Sequence, residues 1–323
     1  MVTNEIQKLI QKSSLIIPVL NAEPHLDNLL PALKETGYPA DQIVVIDSAS
    51  KDRTVERFKE FGAQVYGLGG RPFNHGGTRK YAAELVPESE YLIYLTQDAI
   101  PFNKSTFNNI LTGIAQAGVG MAYGRQLPRR QAKAIERHAR IVNYTDQSAV
   151  RVLADRKTMG VKTTFSSDSF SVYSRRALEA VGHFPEDAYF GEDQILAGKM
   201  LLRGYKIFYC ADAEVTHSHG YSIKEDFRRY FDVGIFHATN RWLLEEFGAA
   251  EGEGLKFLKS EISFLLKHEP TSIPSACLRT LAKYAGYRLG RMEEKMSIEW
   301  KMRLGMQPFY WRQKQSEAFG KTQ

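Results

Sequence analysis

Only two cysteines, Cys210 and Cys277, occur in 323 residues. That is too few for a disulfide framework, and with no CxxC spacing neither a structural zinc site nor a dithiol exchange centre is encoded. Both read as reduced packing residues. No apolar run approaches the roughly 18 residues that a membrane-spanning helix needs, and the opening MVTNEIQKLIQK lacks the uninterrupted apolar core of a secretion signal. The expected location is therefore the cytoplasm. Internal repeats and low-complexity segments are missing, as are GxGxxG and GxxxxGK[ST], so the dinucleotide and P-loop readings lose their support. No RNA- or DNA-binding signature is present, which leaves nucleic acid off the list of expected partners.

What is present is an ordinary globular composition, 43% hydrophobic and 25% charged, long enough for one large domain and a smaller appendage. Ser14–Leu20, residues 42–47, residues 63–68 and residues 91–96 are short, nearly continuous aliphatic runs, the pattern of strands covered on both faces. Helical spacing over residues 23–35, 52–61 and 78–85 separates them, which predicts an α/β fold around a mostly parallel sheet. After about residue 225 the pattern turns helical, over 227–247, 255–267 and 276–304. The expected organisation is thus an α/β domain over 1–225 and a helical region over 226–323. The net charge of +6 is concentrated at the end: residues 255–323 carry 13 Lys/Arg against 6 Asp/Glu, a balance that suits an anionic partner.

Ligands of open α/β sheets bind beyond the carboxyl ends of the strands. Polar residues recur there: Pro18 and Asn21 after the first strand, Asp47 and Ser48 after the second, Gln97 and Asp98 after the fourth. Any one of them also reads as a helix cap. The stretch GLGGRPFNHGGTRK (67–80) sets glycines and cations before a helix, where backbone N–H groups with Arg79 and Lys80 suit a diphosphate. Asp98 suits a divalent ion, since Mg²⁺ needs only one or two protein carboxylates beside phosphate oxygens. His217 and His219 follow a later strand and add nitrogen donors that Mn²⁺ accepts. Their i, i+2 spacing in extended chain directs one of them, not both, to a given face. FGEDQILAGKMLLRG (190–204) predicts a helix starting near Gly191 with Glu192 and Asp193 in its first turn. Acidic residues there complement the helix dipole, and one of the two is also placed to act as a general base.

Taken in order, PVLNAE, IDSASKDRT, FNHGGTRK, LTQDAIP, GRQLP, GEDQILAGKMLLRG and HSHGYS resemble the inverting family 2 glycosyltransferases of the GT-A fold over roughly residues 13–222. The detailed forms look most like bacterial rhamnosyltransferases that use dTDP-L-rhamnose to build surface polysaccharide. The resemblance implies that Asp47 contacts the nucleoside, Asp98 is the metal-binding acid and Asp193 the catalytic base. It also implies a Mg²⁺ or Mn²⁺ cofactor, dTDP-rhamnose as donor and a lipid-linked saccharide as acceptor. Arg125, Gln126 and Asp168 sit in segments that approach the sugars in such enzymes. One departure stands out: the metal motif reads Gln97-Asp98-Ala99, with a single carboxylate. Two other readings of the same architecture are a family 2 transferase with a different donor and a non-catalytic carbohydrate-binding protein.

In the last third, Leu278, Leu281, Ala285, Leu289, Met292, Met296 and Trp300 fall on one stripe of an expected single helix, with Arg279, Lys283, Arg288, Arg291 and Lys295 around it. Packing against the catalytic domain or a second subunit explains the stripe. The alternative is peripheral docking on an anionic membrane, where each basic residue contributes about 1 kcal/mol. Tyr221, Arg228 and Arg229 read either as a closure over the diphosphate or as a solvated helix face.

Overall fold

The computed structural model describes residues 2–249 and 252–320. In chain order the elements are α1 (Val2–Gln11), β1 (Ser13–Val19), α2 (Glu23–Thr36), β2 (Ile43–Asp47), α3 (Thr54–Phe61), β3 (Gln64–Gly67), α4 (His75–Leu85) and β4 (Tyr91–Leu95). They continue with β5 (Ile100–Pro101), α5 (Thr106–Ile114), β6 (Val119–Leu127), α6 (Ala134–Asn143), β7 (Ala149–Arg151), α7 (Arg156–Met159), β8 (Phe170–Ser174), α8 (Arg175–Ala180), α9 (Glu192–Leu202) and β9 (Lys206–Thr216). Six helices follow: α10 (Ile223–Thr239), α11 (Arg241–Phe247), α12 (Glu253–His268), α13 (Ile273–Gly290), α14 (Ile298–Leu304) and α15 (Pro308–Gly320). The chain forms two compact units. The first runs to Arg130 and adds Asn143–Ala188 and Glu192–Ser218; the second takes Gln131–Val142, Tyr189–Gly191 and the chain from His219 on.

The first unit is built on one mixed, mostly parallel sheet in the order β3-β2-β1-β4-β8-β6-β9-β5, with β7 on β9. Strands β3, β2, β1 and β4 run parallel, as the alternation of strands and helices requires. Strand β8 enters antiparallel to both β4 and β6, while β6 and β9 are parallel to each other. Alternate strand residues face opposite layers. Leu15, Ile17, Val19, Ile43, Val45, Ile93 and Leu95 pack with Leu26, Leu29 and Leu33 of α2, Phe58 of α3 and Phe107 and Ile110 of α5. Ile16, Val44, Leu92, Tyr94 and Tyr173 are equally buried on the opposite layer, as are Ala82 of α4, Leu178 of α8 and Leu196 of α9. Strand β9 extends to Thr216 because Glu214, Val215 and Thr216 pair with Arg125, Gln126 and Leu127 of β6, and Val215 and Thr216 also with β5. Helix α4 starts three residues early, at His75, where the Asn74 side chain accepts from Gly77 N.

In the second unit the expected helix over 227–247 is broken. Thr239 Oγ1 donates to Ile235 O and Asn240 Nδ2 to Phe236 O, so side chains take over carbonyl partners at the end of α10 and the chain restarts as α11. The expected helix over 276–304 also divides, at Gly290, into α13 and α14. Leu289, Met296, Ile298, Met302 and Leu304 turn back onto Tyr189, Phe231, Ile235 and Trp311, which one straight helix would not permit. The stripe therefore does not act as one surface: Leu289 and Met296 pack inward, whereas Leu278, Leu281, Met292 and Trp300 are exposed. Arg228 donates to Gly305 O and Arg229 lies 4.0 Å over the Phe190 ring, so both arginines serve packing in this unit. Among the described residues no helix is long and apolar enough to cross a membrane.

Helices α10 and α13 touch backbone to backbone. A Cβ on Gly286 would lie 2.3 Å from Phe227 O, one on Gly290 2.1 Å from Phe231 O, and one on Gly234 2.4 Å from Tyr287 O. Rigid carbonyls cannot yield that space, and forcing extra atoms into such a contact costs about 1–3 kcal/mol. Gly290→Ala should therefore lower the unfolding free energy of the second unit by that amount, read as a lower urea midpoint, while Gly254→Ala, where nothing lies within 4 Å, leaves the midpoint unchanged or raises it. Equal midpoints for the two variants would refute the close-contact account.

Candidate active site

The carboxyl end of the sheet collects most of the polar residues singled out above. Pro18 lies within β1, paired in register with Ile46. Asn21 takes a left-handed conformation, φ +48°, at the turn that follows. Its N–H donates to Ser50 Oγ (2.8 Å) and its Oδ1 accepts from Lys51 N (2.8 Å), so the loops after β1 and β2 are stitched together. Asp47 ends β2 and accepts from the N–H groups of Ala49 and Ser50, both at 3.2 Å, which makes it the organiser of its own loop. Ser48 N donates to Val19 O (2.9 Å), and its hydroxyl is buried with no protein partner.

Gln97 accounts for the unusual metal motif. Its Oε1 accepts from Leu20 N (2.8 Å) and its Nε2 donates to Leu20 O (3.2 Å), imitating one more rung between β1 and β4. An aspartate would be too short and would lack the donor. The side chain is thus occupied by the scaffold, and Asp98, next along the chain, is left as the motif's carboxylate. His217 comes to Asp98 from the end of β9, Nε2 to Oδ2 at 3.3 Å. An imidazole nitrogen facing a carboxylate oxygen is a donor set suited to Mn²⁺, and to Mg²⁺ less fully. His217 Nδ1 faces Gln126 Oε1 at 2.9 Å, and Gln126 Nε2 donates to Ser167 Oγ at 2.8 Å. His219 opens the second unit, where its ring stacks on Tyr221 with centroids 5.4 Å apart.

Arg79 does not face a diphosphate. It is 6% exposed, because the first turn of α4 directs it under the sheet end, where Nη1 meets Glu192 Oε1 at 2.7 Å and Nε meets Asp168 Oδ2 at 3.2 Å. Lys80 is likewise engaged, by Glu186. The expectation that this glycine-rich turn presents its cations to a ligand is therefore corrected: a helix fixes which side of the turn each residue occupies, and here the long side chain goes inward. Arg125 pairs with Glu214 at 3.2 Å across the β6–β9 ladder.

Asp168 and Glu192, both at least nine-tenths buried, hold Arg79 between them. Asp168 Oδ1 also accepts from Ser171 Oγ and Tyr173 OH, each at 2.7 Å. Neither hydroxyl was singled out in the sequence, although Ser171 and Tyr173 form a polar i, i+2 pair on an otherwise apolar strand, which is the available signal. Asp168 N donates to Asp193 Oδ2 (3.2 Å), and Gln194 N donates to Asp193 Oδ1 (2.7 Å). Gln194 in turn donates to Thr164 Oγ1 at 3.0 Å.

Three carboxylates thus share one guanidinium. Burial raises the pKa of Asp193, and the charges of Asp168 and Glu192 raise it further; the Gln194 N–H and Arg79 offset only part, leaving it at about 8. Asp168 is also raised, by burial first, against the pull of Arg79. A carboxylate that binds its proton this firmly, held by two backbone N–H groups at the end of the sheet, has the character of a general base.

From Asp98 a line of contacts runs to His217, on by hydrogen bonds to Gln126 and Ser167, and along the chain to Asp168, whose N–H donates to Asp193. Asp47 joins it from the other side through the shared loops of β1 and the Gln97 tie. Asp98 and Asp193, far apart in sequence, therefore border one end of one sheet.

Comparison with known proteins agrees with this architecture. Residues 14–182 match the sequence model of glycosyl transferase family 2. The O-antigen chain rhamnosyltransferase RfbN of Salmonella typhimurium is 41% identical over 301 residues, covering 93% of this chain and 96% of that protein. The O-antigen chain rhamnosyltransferase WbaN of Salmonella anatum is 41% identical over 300 residues, 92% and 95% of the two chains. Among solved structures, the mannosyltransferase PcManGT from Pyrobaculum calidifontis, in complex with GDP-Man and Mn²⁺, aligns with a TM-score of 0.55 at 19% identity over 96% of this chain and 92% of its own. That likeness concerns the GT-A fold alone. A match to more than half the chain, and relatives matching nearly all of it, establish that the chain belongs to glycosyltransferase family 2.

Proposed function

We propose that this enzyme is an inverting rhamnosyltransferase that moves L-rhamnose from dTDP-L-rhamnose to a hydroxyl of a lipid-linked saccharide during synthesis of bacterial O-antigen. The transferred sugar and the product class follow the names of relatives that match nearly end to end, and dTDP as its carrier follows the resemblance seen in the sequence motifs. The observation that carries the chemistry is the placement of Asp193, a firmly proton-binding carboxylate, on the same sheet end as the Asp98–His217 pair.

Asp193 accepts the proton of the acceptor hydroxyl while that oxygen attacks the anomeric carbon. The bond from that carbon to the diphosphate oxygen breaks on the opposite face, dTDP departs with the electron pair, and configuration inverts. The N–H groups of Asp168 and Gln194 keep the carboxylate aimed, and its raised proton affinity suits it to take a proton from an alcohol. Asp98 and His217, with His219 as the third candidate ligand two residues on, would hold Mg²⁺ or Mn²⁺. Such an ion offsets charge developing on the departing diphosphate. Pro18, Asn21, Asp47 and Ser48 border the space proposed for the nucleoside, where the buried Ser48 hydroxyl is available to it. Asp168, Glu192 and Arg79 act behind Asp193 by setting its charge environment, and Arg125, with Glu214, is proposed to border the sugar.

A lipid-linked acceptor places the enzyme at the inner face of the plasma membrane. Leu278, Leu281 and Tyr284, each more than half exposed on α13, supply an apolar face, with Arg288 at its end. Of the other cations expected around the stripe, Arg279 and Lys283 are drawn to Asp226 instead. Exposed leucines beside cations fit an anionic lipid surface.

Three outcomes test these assignments. Wild-type protein should release dTDP from dTDP-rhamnose in the presence of acceptor, and Asp193→Asn should bind donor with unchanged calorimetric affinity yet turn over about 10²- to 10⁴-fold more slowly; near-normal turnover would remove Asp193 from the role, and turnover of UDP-sugars instead of dTDP-rhamnose would overturn the donor. The base form of Asp193 exists above its pKa, so activity is lost as pH falls through it. Because that pKa is raised, the acid limb of kcat/KM should lie well above the ordinary carboxylate value of about 4, towards 8, and a limb near 4 would contradict the buried-base assignment. In flotation with phosphatidylglycerol vesicles, protein should be recovered with lipid and Leu278→Ser/Leu281→Ser protein should not; equal recovery, or a concentration-dependent dimer lost in that variant, would assign the face elsewhere.

A further inference from the structure

Gln126 occupies the one position that joins the two halves of the site. Strand β6 reaches it just past Gly124, where a Cβ would lie 2.3 Å from the Phe170 ring and 2.5 Å from Ala213 O, so β8 and β9 close in on β6 at this point. The Gln126 side chain is 2% exposed. A buried primary amide needs both of its polar ends satisfied, and Gln126 achieves this between Ser167 Oγ and His217 Nδ1. Its Oε1 can only accept, so the imidazole proton resides on Nδ1. The other ring nitrogen, Nε2, is then the one that faces Asp98 Oδ2, 3.3 Å away. Both are donor atoms for a divalent cation.

We infer that Gln126 is a positioning residue for a metal ligand: it fixes the tautomer and ring orientation of His217 so that Nε2 and Asp98 bind one divalent cation together. This replaces the expectation that Gln126 contacts the sugar, and it rests on the proposed metal-assisted transfer. Partners that orient a ligating histidine are commonly worth 10- to 100-fold in metal affinity. Ser167, the other partner of the amide, directly precedes Asp168, whose N–H holds Asp193. Gln126 therefore sets the cation position and the base position from a single side chain.

The test is calorimetric titration of dTDP into wild-type, Gln126→Leu and Gln126→Glu protein, each with Mn²⁺ and with EDTA. In EDTA the three should bind dTDP alike. The tightening that Mn²⁺ brings to wild type should shrink about 10- to 100-fold in Gln126→Leu. Gln126→Glu should retain it within a few-fold, because a carboxylate accepts from both Nδ1–H and the Ser167 hydroxyl. Ser167→Ala, which frees the amide without emptying the space, should move the same increment in the same direction by a smaller factor, and it stands in for the leucine variant should that fail to fold. Full Mn²⁺ tightening in the leucine and alanine variants would overturn the assignment. Equal losses with Mn²⁺ and with EDTA would overturn it in favour of direct donor contact. Wild-type protein whose dTDP affinity ignores Mn²⁺ would instead overturn the metal reading on which the assignment stands.

Discussion

The Arg79 guanidinium between Asp168 and Glu192 is the interaction on which the sheet end depends. It links α4 to the turn before β8 and to the first residue of α9, two segments that lie far along the chain from Arg79. Arg79 Nε and Asp168 Oδ2 lie 3.2 Å apart without a well-aligned hydrogen bond, so their attraction is chiefly Coulombic, and burial strengthens it. Removing the cation would strand two buried carboxylates, a change that costs far more than the intact pair contributes. Burial opposes the charge of Arg79 itself, yet Glu192 and Asp168 more than offset this and its pKa is raised.

One guanidinium does not neutralise three acids, and that imbalance connects structure to chemistry. Asp168 has two hydroxyl donors beside the cation, and Glu192 has the shorter of the two ion pairs to Arg79. Asp193 has two backbone N–H groups and, among the described residues, no cation within ion-pair distance, so the excess negative charge falls on it as proton affinity. The same two N–H groups fix its position. The proton affinity of Asp193 is therefore a by-product of how its neighbours divide the available positive charge.

Strands were legible because a sheet covered on both faces leaves a run of aliphatics with little alternation, as in Leu15–Ile17 and Ile43–Ile46. The acids at strand ends were legible for a similar reason: after such a run, a polar cluster has nowhere to go but the sheet end. The direction of Arg79 was not legible, since a cation in a glycine-rich turn reads the same whether it points to solvent or inward, and the partners that draw it in lie about 90 and 113 positions further along the chain. The tie that Gln97 makes was not legible either, for its partner is a backbone amide at Leu20 that no side-chain pattern announces. The breaks after Thr239 and Gly290 were hidden by continuous helical spacing on both sides. They follow from competition for carbonyls in the first case and from the need to fold α14 back onto Phe231 and Ile235 in the second.

Two kinds of contact hold this chain in shape, and they fail differently. In the second unit, Gly234, Gly286 and Gly290 let two helix backbones meet, a constraint of volume that any added atom violates. At the sheet end the constraint is electrical: Gln97 and Gln126, both neutral, bridge β1 to β4 and β6 to β9 without adding charge to a region already rich in carboxylate. An acid at either position would add to the charge that already raises Asp193. A neutral amide is the side chain that satisfies a buried donor and a buried acceptor at once while leaving that balance untouched. The replacement of the first motif acid by Gln97 is consistent with the same economy. In the proposed site, with one carboxylate at 98 and an imidazole at 217, a divalent ion would keep more of its charge for a diphosphate than it would between two acids.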